Sequence, residues 1–186
     1  MNTNARNLLV IAAFFLLLIL VAWIISEQYK QTPQPQQVQQ TVQSTPTIGA
    51  RTKDFNCVKQ GSLPDKACTP GAVFEQATVA EICVSGYTKT MRNVTVALKR
   101  DVYAEYGVEH RVKGEYEVDH LVPLELGGSN DIANLWPEPA EPRPGFHEKD
   151  KVENYLHEQV CSGQMELRAA QSVIANDWLA VYKRLN

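Results

Sequence analysis

Residues 8–25 read LLVIAAFFLLLILVAWII, an uninterrupted apolar run close to the ~20 residues that carry a helix across a bilayer. Arg6 and the amino terminus precede it, and no acid does. Positive charge retained inside would leave the N-terminus in the cytoplasm and everything beyond Glu27 outside. A cleaved signal peptide is the competing reading. Its apolar core is normally shorter and is followed by a small-x-small site, which Trp23-Ile24-Ile25-Ser26 does not supply. Residues 1–27 are therefore expected to be a cytoplasmic tip and a single-pass anchor in the inner (cytoplasmic) membrane, with an extracytoplasmic or periplasmic C-terminal domain. Residues 28–50 are rich in Gln, Pro and Thr and cannot bury a core, so they read as a flexible linker.

Beyond residue 50 the pattern shifts to short periods. Residues 51–71 look loop-like, with Gly61, Pro64 and Pro70. Residues 73–83 suit a short helix, or a strand followed by a helical turn. Val94, Leu98, Val102 and Tyr106 recur every four residues, which predicts a helix over 94–106 with Asn93 as N-cap. Residues 116–122 and 132–136 read as two strands. The stretch PEPAEPRPG at 137–145 then argues against regular structure. A helix over 147–161 follows, with Val152, Tyr155, Leu156 and Val160 on one side, His147, Lys151 and Asn154 on another, and Gly163 ending it. The remainder is helical by period, with Leu167, Ala170, Ile174, Trp178 and Tyr182 in one stripe and a break expected near Asn176-Asp177. No internal repeat is evident. The fold class is α+β, in one domain over residues 51–186.

The chain has 186 residues and a formal net charge of −3, an unpromising balance for gripping nucleic acid. The distribution is more informative. Residues 51–113 hold ten bases and seven acids, whereas residues 114–186 hold six bases and thirteen acids. Lys89, Arg92, Lys99 and Arg100 in the basic half are candidate phosphate contacts; a solvated face is the equal alternative. Cys57, Cys68, Cys83 and Cys161 lack the paired CxxC spacing of a zinc site. An even number in an exported domain suggests two disulfides. Of three pairings, Cys57–Cys68 and Cys83–Cys161 are favoured, the first clipping a short loop and the second tying two helices.

The chemistry-bearing run is EVDHLVPLELGGSNDIANLW at residues 117–136. Asp119 and His120 stand side by side at the end of a strand, and adjacent strand residues point to opposite faces. Such a pair can divide two jobs, one holding a cation and the other taking a proton from water, as phosphodiester hydrolysis requires. Taken singly, a strand histidine is usually structural and Gly127-Gly128 is an ordinary turn signal. Their order and spacing together carry more.

The run resembles the HNH endonucleases of the ββα-metal class, specifically over residues 117–136 and more weakly over 145–161, so that the motif would span 115–161. The resemblance implies a hairpin-plus-helix core with flanking helices. It implies that Asp119 is a metal ligand, His120 the general base and Asn134 the residue that orients it. A third residue is expected on the following helix: His147 first, with Asn154 and His157 as alternatives. The cofactor would be one divalent ion, Mg²⁺ first, with Mn²⁺, Ni²⁺ and Zn²⁺ also compatible, and no small-molecule cofactor. Arg92 and Lys151 are candidate phosphate clamps; an ordinary surface lysine is an equal reading of Lys151. The implied activity is metal-dependent endonucleolytic hydrolysis of DNA, with RNA as the other substrate. The alternative is a catalytically silent module of the same fold that binds nucleic acid or a protein partner at the membrane.

Overall fold

The computed structural model describes Leu20, Trp23 and residues 48–186. The chain divides into two units, Met1–Gln43 and Ser44–Asn186. Of the first, only Leu20 and Trp23 are described, and both are helical. The expected membrane span over residues 8–25 therefore lies almost wholly outside the described residues, as does most of the linker at 28–50. Among the described residues no helix is long and apolar enough to cross a membrane.

The second unit is a small α+β domain: five helices and one two-stranded sheet among the described residues. Helix α1 is Val79–Ile82, α2 is Tyr87–Met91 and α3 is Val96–Glu105. Strands β1 (Tyr116–His120) and β2 (Leu135–Pro139) follow, then α4 (Phe146–Cys161) and α5 (Leu167–Leu185). The α3 N-cap is Thr95, whose side chain accepts from the Leu98 amide at 3.1 Å. Asn93, expected in that role, instead gives its backbone N–H to Asn130 Oδ1 at 3.1 Å.

Strand β2 begins at Leu135, three residues later than its apolar pattern predicts, because Ile132–Asn134 winds into a 3₁₀ turn capped by Asp131. It also runs into the proline-rich stretch. The antiparallel register pairs Asp119 with Trp136, Val118 with Pro137 and Tyr116 with Pro139. The flanking bonds Leu121 N–H to Asn134 O and Ala140 N–H to Glu115 O fix which positions exchange hydrogen bonds. By alternation Pro137 and Pro139 fall at the non-bonded positions, where a missing N–H costs the ladder nothing. The prolines are thus compatible with β2, which has no second strand neighbour among the described residues.

The core lies where α4 and α5 pack as a hairpin against the sheet and its connecting loop. Val152, Leu156 and Val160 of α4 meet Leu167, Ala170, Ile174, Trp178 and Val181 of α5, with Leu121, Val122, Leu126 and Trp136 beside them. Burying each large side chain contributes about 1.5–3 kcal/mol. Tyr182 is half-buried at the margin. Helix α5 breaks at Asp177, whose carboxylate then accepts from the Ala180 N–H at 3.0 Å and caps the second segment. Disulfides Cys57–Cys68 and Cys83–Cys161 both form, in the pairing favoured from spacing.

Asp65 organises the N-terminal loop. Its carboxylate takes hydrogen bonds from Lys53 Nζ at 2.9 Å and from the amides of Val58 and Ala67, each at 3.0 Å. Partial burial alone would raise its pKa, but these bonds outweigh that and hold it below the usual value. A depressed carboxylate stabilises the fold above its unfolded pKa and loses that contribution as pH falls through the folded one. Asp65→Asn is therefore expected to lower the denaturation midpoint at neutral pH, with the gap to wild type closing below about pH 4. A gap that stays constant down to acid pH would contradict the role of the charge.

Candidate active site

The loop from β1 to β2 is locked by its own backbone. Pro123 leads into a 3₁₀ turn, Leu124–Leu126, that ends at Gly127 in the left-handed region (φ 74°). Gly128 lies so close to the strand end that a Cβ there would sit 1.8 Å from the Val122 carbonyl oxygen. Asn134, fully buried, ties the loop together. Its Oδ1 accepts from Val122 N at 2.9 Å and from Ala72 N at 3.3 Å, and its Nδ2 donates to the carbonyls of Val122 and Ser129, each at 2.9 Å. Gly128→Ala is expected to cost about 2–3 kcal/mol by forcing these elements apart. Urea denaturation measures this, and an unchanged midpoint would show that the loop can yield.

His120 closes β1 with 1% of its surface exposed. Its Nε2 lies 3.2 Å from Asn130 Oδ1. The Asn130 amide is oriented by two other bonds: Nδ2 donates to the Met91 carbonyl at 2.8 Å, and Oδ1 accepts from the Asn93 N–H. Oδ1 therefore faces the imidazole, so Nε2 carries the proton and Nδ1 keeps its lone pair. Nδ1 is buried without a hydrogen-bond partner. Burial pushes the His120 pKa down to about 4, the nearby Asp119 opposing it, so the ring is neutral at physiological pH. The side chain in contact with the ring is thus Asn130, which its sequence position within Gly-Gly-Ser-Asn did not single out. Asn134 acts one step removed, by holding the loop.

Asp119 points the other way, toward α4. Lys149, fully buried, places its Nζ 2.8 Å from Asp119 Oδ2 and 2.7 Å from the His120 carbonyl oxygen, and also bonds to Glu153 one turn along the helix. Glu138 of β2, also fully buried, approaches the same ammonium at 3.7 Å. Burial alone would neutralise Lys149, but Asp119, Glu153 and Glu138 together hold its pKa well above the ordinary value. Asp119 stays low because Lys149 outweighs the cost of its burial. Burial pushes Glu153 up to about 8 and Glu138 well above the carboxylate range. Three carboxyl groups thus meet one ammonium.

Asp119 and Glu153 both line two adjoining cavities, of about 130 and 390 Å³. His120, Arg92 and Glu125 line the smaller, and Arg92, Lys99 and Asp150 the larger. Carboxyl oxygens are the donor type that hard divalent cations take, but here the Lys149 ammonium already bonds to Asp119 and Glu153. Of the residues expected on the helix, His147 is exposed and lies against Phe146, with tilted rings whose centroids are 4.3 Å apart. Asn154 is exposed and donates to the Asp150 carbonyl. His157 lies 3.2 Å from the Ile82 carbonyl oxygen. None of these three lines either cavity, and neither does Lys151. The helix instead presents Lys149 and Glu153, an i, i+4 pair that shares one face.

Elsewhere, one group of ligand-type side chains among the described residues is packed closely enough to hold a metal ion: Cys83, His157 and Cys161, whose ligand atoms all lie within 4.8 Å of one another. Here the two sulfurs are joined as a disulfide. Comparison with protein-family models, with curated proteins and with solved structures finds no match to this chain.

Proposed function

We propose that the chain is a metal-dependent endonuclease of the HNH type, acting on DNA or RNA. The observation that carries this reading is the cleft formed by a strand–strand–helix unit, with Asp119 and His120 diverging from the end of β1 and Glu153 facing Asp119 from α4. Asp119 and Glu153 are the residues that would hold the cation, which replaces the earlier expectation of His147. A divalent cation bound there would supply Lewis-acid stabilisation of the charge that develops on the scissile phosphate and the leaving 3′-oxygen. His120 is neutral and its protonated Nε2 is engaged by Asn130, so Nδ1, which is buried, is the atom that would take the proton from an attacking water once the smaller cavity admits one to it. Arg92 and Lys99 at the cleft margin offset the negative charge of an entering phosphodiester. Residues 8–25 would anchor this domain outside the cytoplasm, and two disulfides accord with an oxidising space.

One observation favours the second reading, a silent module that binds nucleic acid or a protein partner. The Lys149 ammonium already compensates Asp119 and Glu153 from within the chain. Detergent-solubilised full chain should nick supercoiled plasmid or cut RNA with Mg²⁺ or Mn²⁺, and EDTA should abolish this. If neither polymer is cut with any divalent ion, the enzyme reading is wrong and the binding reading stands.

A further inference from the structure

Cys83, His157 and Cys161 lie at the other end of α4 from the catalytic helix face. Cys83 caps α1, and His157 and Cys161 sit one turn apart on α4, so both project from the same side of the helix. His157 Nε2 is 3.3 Å from Cys161 Sγ and 3.2 Å from the Ile82 carbonyl oxygen. Both cysteines are exposed, whereas Cys57 and Cys68 of the other disulfide are 5% and 0% exposed. A reducing dithiol therefore reaches Cys83–Cys161 first. The adjoining cavity, about 340 Å³, is lined by Cys83, His157 and Glu125, whose Oε1 is buried without a hydrogen-bond partner.

We infer that opening the Cys83–Cys161 disulfide converts this clip into a binding site for a borderline-soft divalent ion of the zinc class, with Cys83, Cys161 and His157 as ligands and Glu125 or water in the fourth position. The bonded sulfurs carry no thiolate charge, so the oxidised form has little to offer a cation. Reduction proceeds by thiol–disulfide exchange. A dithiol donates two electrons and two protons, the S–S bond breaks to two thiols, and the dithiol leaves as its own disulfide. Binding of the ion then releases both thiol protons. Zn–S bonds of about 2.3 Å and Zn–N bonds of about 2.0–2.1 Å separate tetrahedral ligands by less than 4 Å. The three ligand atoms already lie within 4.8 Å, so the sulfurs need only part to that spacing.

The consequence is an exchange of one tie between α1 and α4 for another. Thr88 and Glu125 line both this cavity and the smaller cavity at His120, so the tie borders the catalytic cleft. Helix α4 also carries Lys149 and Glu153. A metal tie would keep the helix seated where simple reduction would release it.

The test uses the full chain, reduced under limiting conditions, with alkylation mapping to verify that Cys83–Cys161 has opened and Cys57–Cys68 has not. Co²⁺ alone is the probe, since cysteine thiolates give it a charge-transfer absorption that carboxylates do not. The reduced chain should develop that band at one equivalent, and excess Zn²⁺ should quench it. The oxidised chain should show none. His157→Ala, which leaves the disulfide intact for folding, should weaken binding by at least the roughly 10–100-fold that loss of an outer-shell partner costs, since a direct ligand is removed. Absence of the thiolate band in a chain mapped as selectively reduced would overturn the inference, and so would unchanged affinity in His157→Ala.

Discussion

Lys149→Met is expected to destabilise the domain by about 3–5 kcal/mol, the cost of removing one partner from a buried ion cluster. Methionine keeps most of the side chain's length, so the loss is electrostatic. The ammonium of Lys149 holds Asp119, Glu153 and the His120 carbonyl oxygen together, and Glu138 faces it at 3.7 Å. Without it, Asp119 loses the ammonium that keeps it ionised and Glu153 loses its hydrogen-bond partner, leaving Arg92 and Lys99 at the cleft margin to offset charge. Urea denaturation in the absence of added metal measures the loss. A change below about 1 kcal/mol would mean that the cluster relaxes freely and that Lys149 is dispensable. Adding Mg²⁺ or Mn²⁺ should recover part of the stability in the variant, because a divalent ion then meets the carboxylates that Lys149 has vacated.

His120→Ala is expected to lower cleavage by about 10²–10⁴-fold, the range for loss of a positioned general base. The proposal makes Nδ1, the free lone pair of the ring, the base, and no other imidazole lines the smaller cavity. Cation binding, measured separately by titration calorimetry with Mn²⁺, should be retained, because Asp119 and Glu153 are untouched. This split separates a catalytic role from a structural one. A variant that loses cation binding along with cleavage would point to a collapsed loop, and full residual cleavage would move the base to another residue.

Much of the scaffold was legible because it depends on local periods. The four-residue recurrence from Val94 marked α3, the stripe from Leu167 to Trp178 marked α5, and Asn176-Asp177 marked its break. Helix α2 leaves no signal in the sequence, since Tyr87–Met91 is too short to show a period. The start of β2 is not legible locally, because Ile132 and Ala133 are apolar yet belong to a 3₁₀ turn. Its end is hidden too, because a proline disfavours a strand only where its N–H is needed. The role of Asn130 is equally hidden from the local sequence. A Gly-Gly-Ser-Asn run reads as a turn, and nothing local shows that Met91 and Asn93, some 37–39 residues earlier, return to orient its amide.

By itself the sequence determined the Asp119-His120 pair at the end of a strand, the glycine turn behind it, the helix that follows and the even count of cysteines. These rest on neighbours within a few residues. Only the tertiary structure decided which face of α4 meets the pair. Successive helical residues turn by about 100°, so His147 lies roughly 200° from Lys149 and faces solvent when Lys149 and Glu153 face inward. That phase is set by Val152, Leu156 and Val160 seating against α5, a contact between segments that no spacing within α4 specifies. Tertiary packing also brings Cys83 beside His157 and Cys161, a pair already one turn apart on α4, and so gives the two ends of one helix different neighbours.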